Sequence, residues 1–299
     1  MKLVKKLLEI SQKEEMQKRA HGATDVGKER TVNEDYFLIN REKNLFIVAD
    51  GMGGHNAGDV ASKNATKIAD EYLTIDLLHG IRGDNRKIRE TVIKSLLHAH
   101  LKILEMADKN PQYQGMGCTM VAALIMGNSL HLCHVGDARG YVCNEKGIVL
   151  LTRDHSFVMD LVQKGKLTME EARLSPMKNK LHQAIGASKT INPDYKHYIL
   201  KNDDKILLCS DGLWDMMSDD QIYTVLKQDK PAKKICDTFI KMANIAGGHD
   251  NITAIVVRHV EQDDRPLPSA PEDNEIPEKT GEYSFKFDDV PDSESIKSD

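Results

Sequence analysis

Leu45-Phe46-Ile47-Val48-Ala49-Asp50-Gly51-Met52-Gly53-Gly54-His55-Asn56-Ala57-Gly58-Asp59 joins an apolar run to a carboxylate and then to a loop. The run, 45–49, predicts a short buried strand. Glycines stand at 51, 53, 54 and 58, and glycine lets a backbone come close to a ligand. An Asp at a strand end beside bare backbone suits a hard divalent cation, which takes oxygen from carboxylates, carbonyls and water. The same features describe a glycine-rich turn with a solvated Asp. By itself the stretch leaves both readings open.

Neighbouring stretches repeat the device. Glu34-Asp35 precedes a strand at 36–39, and the link 40–44 predicts a hairpin that sets it beside Asp50. Buried runs at 118–125 and 130–135 turn at Gly127-Asn128, and the second ends in Gly136-Asp137. Strands at 140–143, 148–151 and 196–200 follow. Lys205–Cys209 then leads through Ser210 to Asp211-Gly212, and Asp250-Asn251 opens a last strand, 252–257.

Helical spacing covers 59–78, 84–107 with Asp84 as its cap, 219–227, and 231–245 with Pro231 in its first turn. Residues 152–190 break the rhythm; a short helix at 157–164 and a capping box at Thr168-Met169-Glu170-Glu171 mark an inserted lobe. Residues 1–20 predict a basic amphipathic extension, a helix packed loosely on the body or a frayed terminus rather than a membrane element or a cleaved signal. The segment 261–299 holds 13 acids, 4 bases and five of the nine prolines, which predicts an acidic disordered tail.

The whole chain has 299 residues and a net charge of −5, so the part before the tail is near +4. That balance, without aromatic and basic residues interleaved, argues against nucleic-acid binding. No apolar run approaches the roughly 20 residues that span a bilayer. Cysteines at 118, 133, 143, 209 and 236 are odd in number and form no CxxC pair; reduced thiols in a cytoplasmic protein are the simplest account.

Six acids thus stand at strand edges: Glu34, Asp35, Asp50, Asp137, Asp211 and Asp250. Gathered at one end of a sheet they would repel unless cations neutralised them. All-oxygen ligands favour Mg²⁺ or Mn²⁺ over Zn²⁺. A pair of such ions suits phosphoester hydrolysis by in-line displacement, and Arg30 has the fork to grip a phosphate.

Together with Gly117-Cys118-Thr119, Val135-Gly136-Asp137-Ala138-Arg139, Leu151-Thr152-Arg153-Asp154-His155-Ser156 and Asp250-Asn251-Ile252-Thr253, this set resembles the PPM family. These are the metal-dependent Ser/Thr protein phosphatases of type 2C, here in their bacterial form. The resemblance covers roughly residues 20–258. It implies an α+β fold of four layers, α/β/β/α, with a central antiparallel β-sandwich flanked by helix pairs. The domain would occupy 21–260, with a flap at about 155–190 that influences substrate choice. Two core ions, Mn²⁺ or Mg²⁺, are implied, and a third position beside them. Asp50 would bridge the pair, with Asp211 and Asp250 on the first ion and Glu34 and the Gly51 carbonyl on the second. Asp137 with Asp211 matches the third position. Asp35 would orient the attacking water, and Arg30 would bind phosphate. The implied activity is hydrolysis of phosphoserine and phosphothreonine in proteins by a two-metal-activated water, without a phosphoenzyme. The implied setting is a monomer that counteracts a cognate Ser/Thr kinase system.

Departures from the pattern are local. His134 stands where Asn is usual, Ala138 where Ser is usual, Cys118 where Thr is frequent, and Ser175 in place of a flap His. Met52 replaces the proposed acid of animal-type members, which leaves the proton donor to the leaving group unassigned. His55 and His249 read as loop residues near ligand acids.

Two rival readings are weaker. Cys133 to Arg139 matches Cys-x5-Arg, the thiolate phosphatase signature, but that chemistry needs a phosphate loop entering a helix N-terminus. Here a strand precedes Cys133 and another follows Arg139. A non-catalytic binding module on the same fold would be expected to lose metal ligands, and none is lost.

Overall fold

The structure is a computed structural model; it describes residues 19–53 and 57–260. The expectations for His55, for the acidic tail and for residues 1–18 of the N-terminal extension lie outside those residues, while Ala20, the last residue given to that extension, opens a strand instead. Among the described residues, ten strands form two five-stranded sheets in which every pairing is antiparallel. One sheet runs β2(Asp35–Asn40), β3(Leu45–Met52), β4(Gly117–Met126), β5(Ser129–Val135), β8(Asp194–Ile199). The other runs β1(Ala20–Asp25), β10(Ile252–Arg258), β9(Lys205–Cys209), β6(Arg139–Asn144), β7(Gly147–Leu150).

Alternation along each strand builds three apolar layers. Phe46, Val48, Val121, Ala123 and Leu132 of the first sheet meet Val142, Ile206, Leu208 and Ile255 of the second in one cluster, so the sheets pack face to face. The opposite face of the first sheet carries Leu45, Ile47, Met120 and Leu124. It is covered by α1(Gly58–Tyr72), α2(Ile75–Gly80) and α3(Asn85–Lys109). Ala61, Ala65 and Ala69 recur every fourth residue on α1, and their small size lets α3 settle close with Val92, Leu96, Ala99 and Ile103. On the outer face of the second sheet, Leu207, Cys209 and Ala254 pack under α6(Asp211–Trp214), α7(Asp219–Leu226) and α8(Ala232–Ala246). Ile235 and Phe239 of α8 are fully buried there, and each such side chain contributes about 1.5–3 kcal/mol through area removed from water. The four-layer α+β architecture is therefore the one the motifs imply.

Helix ends follow their local chemistry. The Asp84 side chain accepts from Lys87 N at the start of α3, and Thr168 and Glu171 form the expected capping box on α5(Met169–Leu174). The spacing that predicts one helix over 59–78 is divided, because Thr74 caps a new start at α2. Pro231 sits one residue before α8 rather than inside it. No helix among the described residues is long and apolar enough to cross a membrane.

Candidate active site

Both sheets deliver acids to the same end of the sandwich. In the β2–β3 hairpin, Asp35 lies directly opposite Asp50. Asp137 follows β5 in the same sheet, while Asp211 follows β9 and Asp250 precedes β10 in the other. Asp35 and Asp137 are buried, and Asp50 and Asp211 are nearly so.

Backbone and neutral side chains hold each acid in place. Glu34 N donates to Asn251 Oδ1 at 2.8 Å, and the Glu34 carbonyl accepts from Gly51 N and Ser62 Oγ. Glu34 Oε1 accepts from Gly58 N at 3.2 Å. A Cβ on Gly58 would stand 2.5 Å from that Oε1, and one on Gly51 would strike the Gly58 carbonyl; both glycines are needed for close approach. Ser210 Oγ donates to Asp35 Oδ2 at 2.7 Å and accepts from Thr253 N. Trp214 Nε1 donates to the Asp137 carbonyl at 3.0 Å, and Arg139 stacks over that indole while gripping Asp154 with two bonds. Asn251 Nδ2 donates to the Val26 and Val32 carbonyls, which pins the loop that carries Arg30.

Burial and mutual repulsion dominate the electrostatics. Burial pushes Asp35 up to about 8, with Asp211 and Asp250 adding to it. Asp50 and Asp137 are driven well above the carboxylate range, first by burial and then by Asp35, Asp211 and their neighbours. Asp211 rises to about 6 by burial and the Asp250 charge. Glu34 rises through burial as well. Arg30 supplies a positive charge at the rim: its Nη2 donates to Asp250 Oδ2 at 2.8 Å, and its side chain is half exposed.

This donor set fits hard divalent cations. Asp35 Oδ1 and Asp211 Oδ1 are buried without a hydrogen-bond partner, although buried polar atoms are nearly always paired. Oxygen lone pairs with no proton to accept, held among like charges, are what a hydrated cation relieves, directly or through its water.

All eight residues singled out in the sequence, Arg30, Glu34, Asp35, Asp50, Gly51, Asp137, Asp211 and Asp250, converge on this end of the fold. No role for Ser210, Gly58, Ser62 or Trp214 is readable from the sequence. The only signal was adjacency, for Ser210 precedes Asp211 and Gly58 closes the glycine loop. His249 is a loop residue paired with Glu29. Cys133 is fully buried in β5, and burial drives its thiol far up, which disposes of the thiolate reading. All five cysteines are buried and free.

The segment expected to form the flap is bonded to the stretch just after Asp211. It comprises α4(Phe157–Gln163), α5 and the turns to residue 190. Lys178 pairs with Asp215 at 2.6 Å, and Arg173 reaches the Trp214 and Met217 carbonyls just beyond Asp211.

Residues 27–254 match the family model described as Protein phosphatase 2C. The chain is 37% identical over 246 residues to the protein phosphatase PhpP of Streptococcus pneumoniae, covering 80% of this chain and 97% of that protein. The crystal structure of the S. agalactiae serine/threonine phosphatase superposes with a TM-score of 0.73 at 36% identity, covering 81% of this chain and 99% of that one. The catalytic domain of the phosphatase PstP in complex with two manganese ions does so at 0.68 and 31% identity, covering 81% and 98%.

Proposed function

This chain belongs to the protein phosphatase 2C family, and from that membership we propose how its site works on phosphorylated proteins. It is a metal-binding serine/threonine protein phosphatase. Asp50, Asp211 and Asp250 would hold one Mn²⁺ or Mg²⁺, and Asp50, Glu34 and the Gly51 carbonyl would hold the second. Asp137 and Asp211 offer a third position. When bound, such ions supply Lewis acidity toward water and the phosphoryl oxygens.

The chain's own residues do the rest. Ser210 fixes one oxygen of Asp35, so the other is left to accept a hydrogen from the attacking water and orient it in line. Arg30 reaches over the rim from Asp250, and its planar fork matches two phosphoryl oxygens. The flap, tied to the segment after Asp211, shapes which phosphoprotein reaches the acids. Attack is direct, and no side chain is phosphorylated. The products reverse the work of a Ser/Thr kinase.

One observation carries this reading: two sheets bring six acids together, and two of their buried oxygens lack partners. The test is phosphate release from a phosphothreonine peptide in Mn²⁺. Turnover is expected to vanish on chelation and return on adding Mn²⁺. Turnover indifferent to chelation would sink the proposal, and Mn²⁺ binding without turnover would favour a binding module.

A further inference from the structure

His134, unusual where it stands in the sequence, gains specific neighbours in the fold. The β5–β8 register sets it directly opposite Asp194, and opposite residues share a face with Cβ atoms about 4.5–5.5 Å apart. His155, a few residues after β7 of the other sheet, stacks on His134 with ring centroids 4.7 Å apart. One ligand atom from each of His134, His155 and Asp194 lies within 4.8 Å of the other two. Both imidazoles are buried. The Asp194 side chain is 37% exposed and, with His134, Arg153 and Tyr195, lines a cavity of about 240 Å³. Nε2 of His155 is buried without a hydrogen-bond partner, 3.5 Å from Asp194 Oδ2.

We propose that His134, His155 and Asp194 bind one Zn²⁺, at a site separate from the acid cluster. Two imidazoles and one carboxylate, with a side open to water, suit Zn²⁺ and not Mg²⁺. The Arg153 carbonyl accepts from His134 Nε2 at 2.8 Å, which is the outer support a ligating histidine has. It places the lone pair of His134 on Nδ1. His155 differs, because its Nδ1 accepts from Gly136 N at 3.1 Å and its proton is therefore on Nε2. Ligation through Nε2 moves that proton to Nδ1, with none released, and breaks the Gly136 bond. The Gly136 amide is thus a local reporter of occupancy.

The experiment uses the full chain in excess Mn²⁺, so that the acid cluster is filled before Zn²⁺ is titrated by calorimetry. About one Zn²⁺ is expected to bind without release of Mn²⁺, and in a parallel sample loaded with diamagnetic Mg²⁺ the Gly136 amide resonance is expected to shift. His134→Asn, which restores the residue usual in the family, should weaken Zn²⁺ by about 10- to 100-fold. Its melting temperature and Mn²⁺-supported turnover should not change. Asp194→Asn should weaken Zn²⁺ likewise, and serves if the first variant does not fold. Three results overturn the proposal: no uptake, uptake only in exchange for Mn²⁺, or a folded variant that binds Zn²⁺ as tightly as the parent.

Discussion

Single atoms decide how the acids are presented. Ser210 stands between Asp35 and Thr253, giving its hydrogen to one and accepting from the other. Replacing it by Ala leaves a buried carboxylate oxygen and a buried amide without partners, at a cost of about 1–3 kcal/mol. Ser210→Ala is therefore expected to melt earlier and turn over more slowly, and a thermal melt beside a phosphopeptide assay measures both. The acids themselves were legible in the sequence, because a carboxylate at the end of an apolar run recurs at Asp50, Asp137 and Asp211. Their supports were not, since a serine or glycine next to an acid has many ordinary uses. Trp214 was the least legible: its bond to the Asp137 carbonyl spans 77 residues, and nothing local in either stretch encodes it.

At the level of elements, the hairpin and the α1 start work as one unit. The β2–β3 register places Asp35 across from Asp50, and the first amide of α1 meets Glu34. Gly58→Ala puts a Cβ into the Glu34 carboxylate. It should weaken Mn²⁺ by about 10- to 100-fold while leaving helix content intact, which calorimetry and circular dichroism separate. Strong apolar runs made β3, β4, β5, β9 and β10 readable. β1 was not, because Ala20-His21-Gly22-Ala23-Thr24-Asp25 carries no such run. It is a strand by virtue of pairing with β10 along six residues, a partner far away in the chain. Likewise α6 is a single turn whose burial under the second sheet, not its spacing, makes it helical.

Across the whole molecule, two sets of buried groups respond to pH in opposite directions. His131 and His155 are pressed from 6.5 down to about 4 by burial, so the unfolded chain binds more protons than the folded one between those values. Their contribution is present above 6.5 and fades as pH falls toward 4. Asp35 and Asp211 are raised from 3.8 to about 8 and about 6, so the folded metal-free chain holds the extra protons. Their contribution fades as pH rises from 3.8 through those values. The metal-free protein should accordingly melt lower at pH 8 than at pH 6.5, and Mn²⁺ should raise its melting temperature more at pH 8. A Mn²⁺-induced shift that is equal at both values would contradict this. The central claim is that the acid cluster exists to hold cations for phosphate hydrolysis, at the expense of the metal-free fold. Asp50→Asn tests it most directly, with melting and phosphothreonine-peptide turnover measured with and without Mn²⁺. The predicted result is a metal-free chain as stable as the parent or more so, a lost response to Mn²⁺, and turnover lower by at least about 100-fold. A folded Asp50→Asn chain that keeps Mn²⁺-dependent turnover near the parent's would contradict the account.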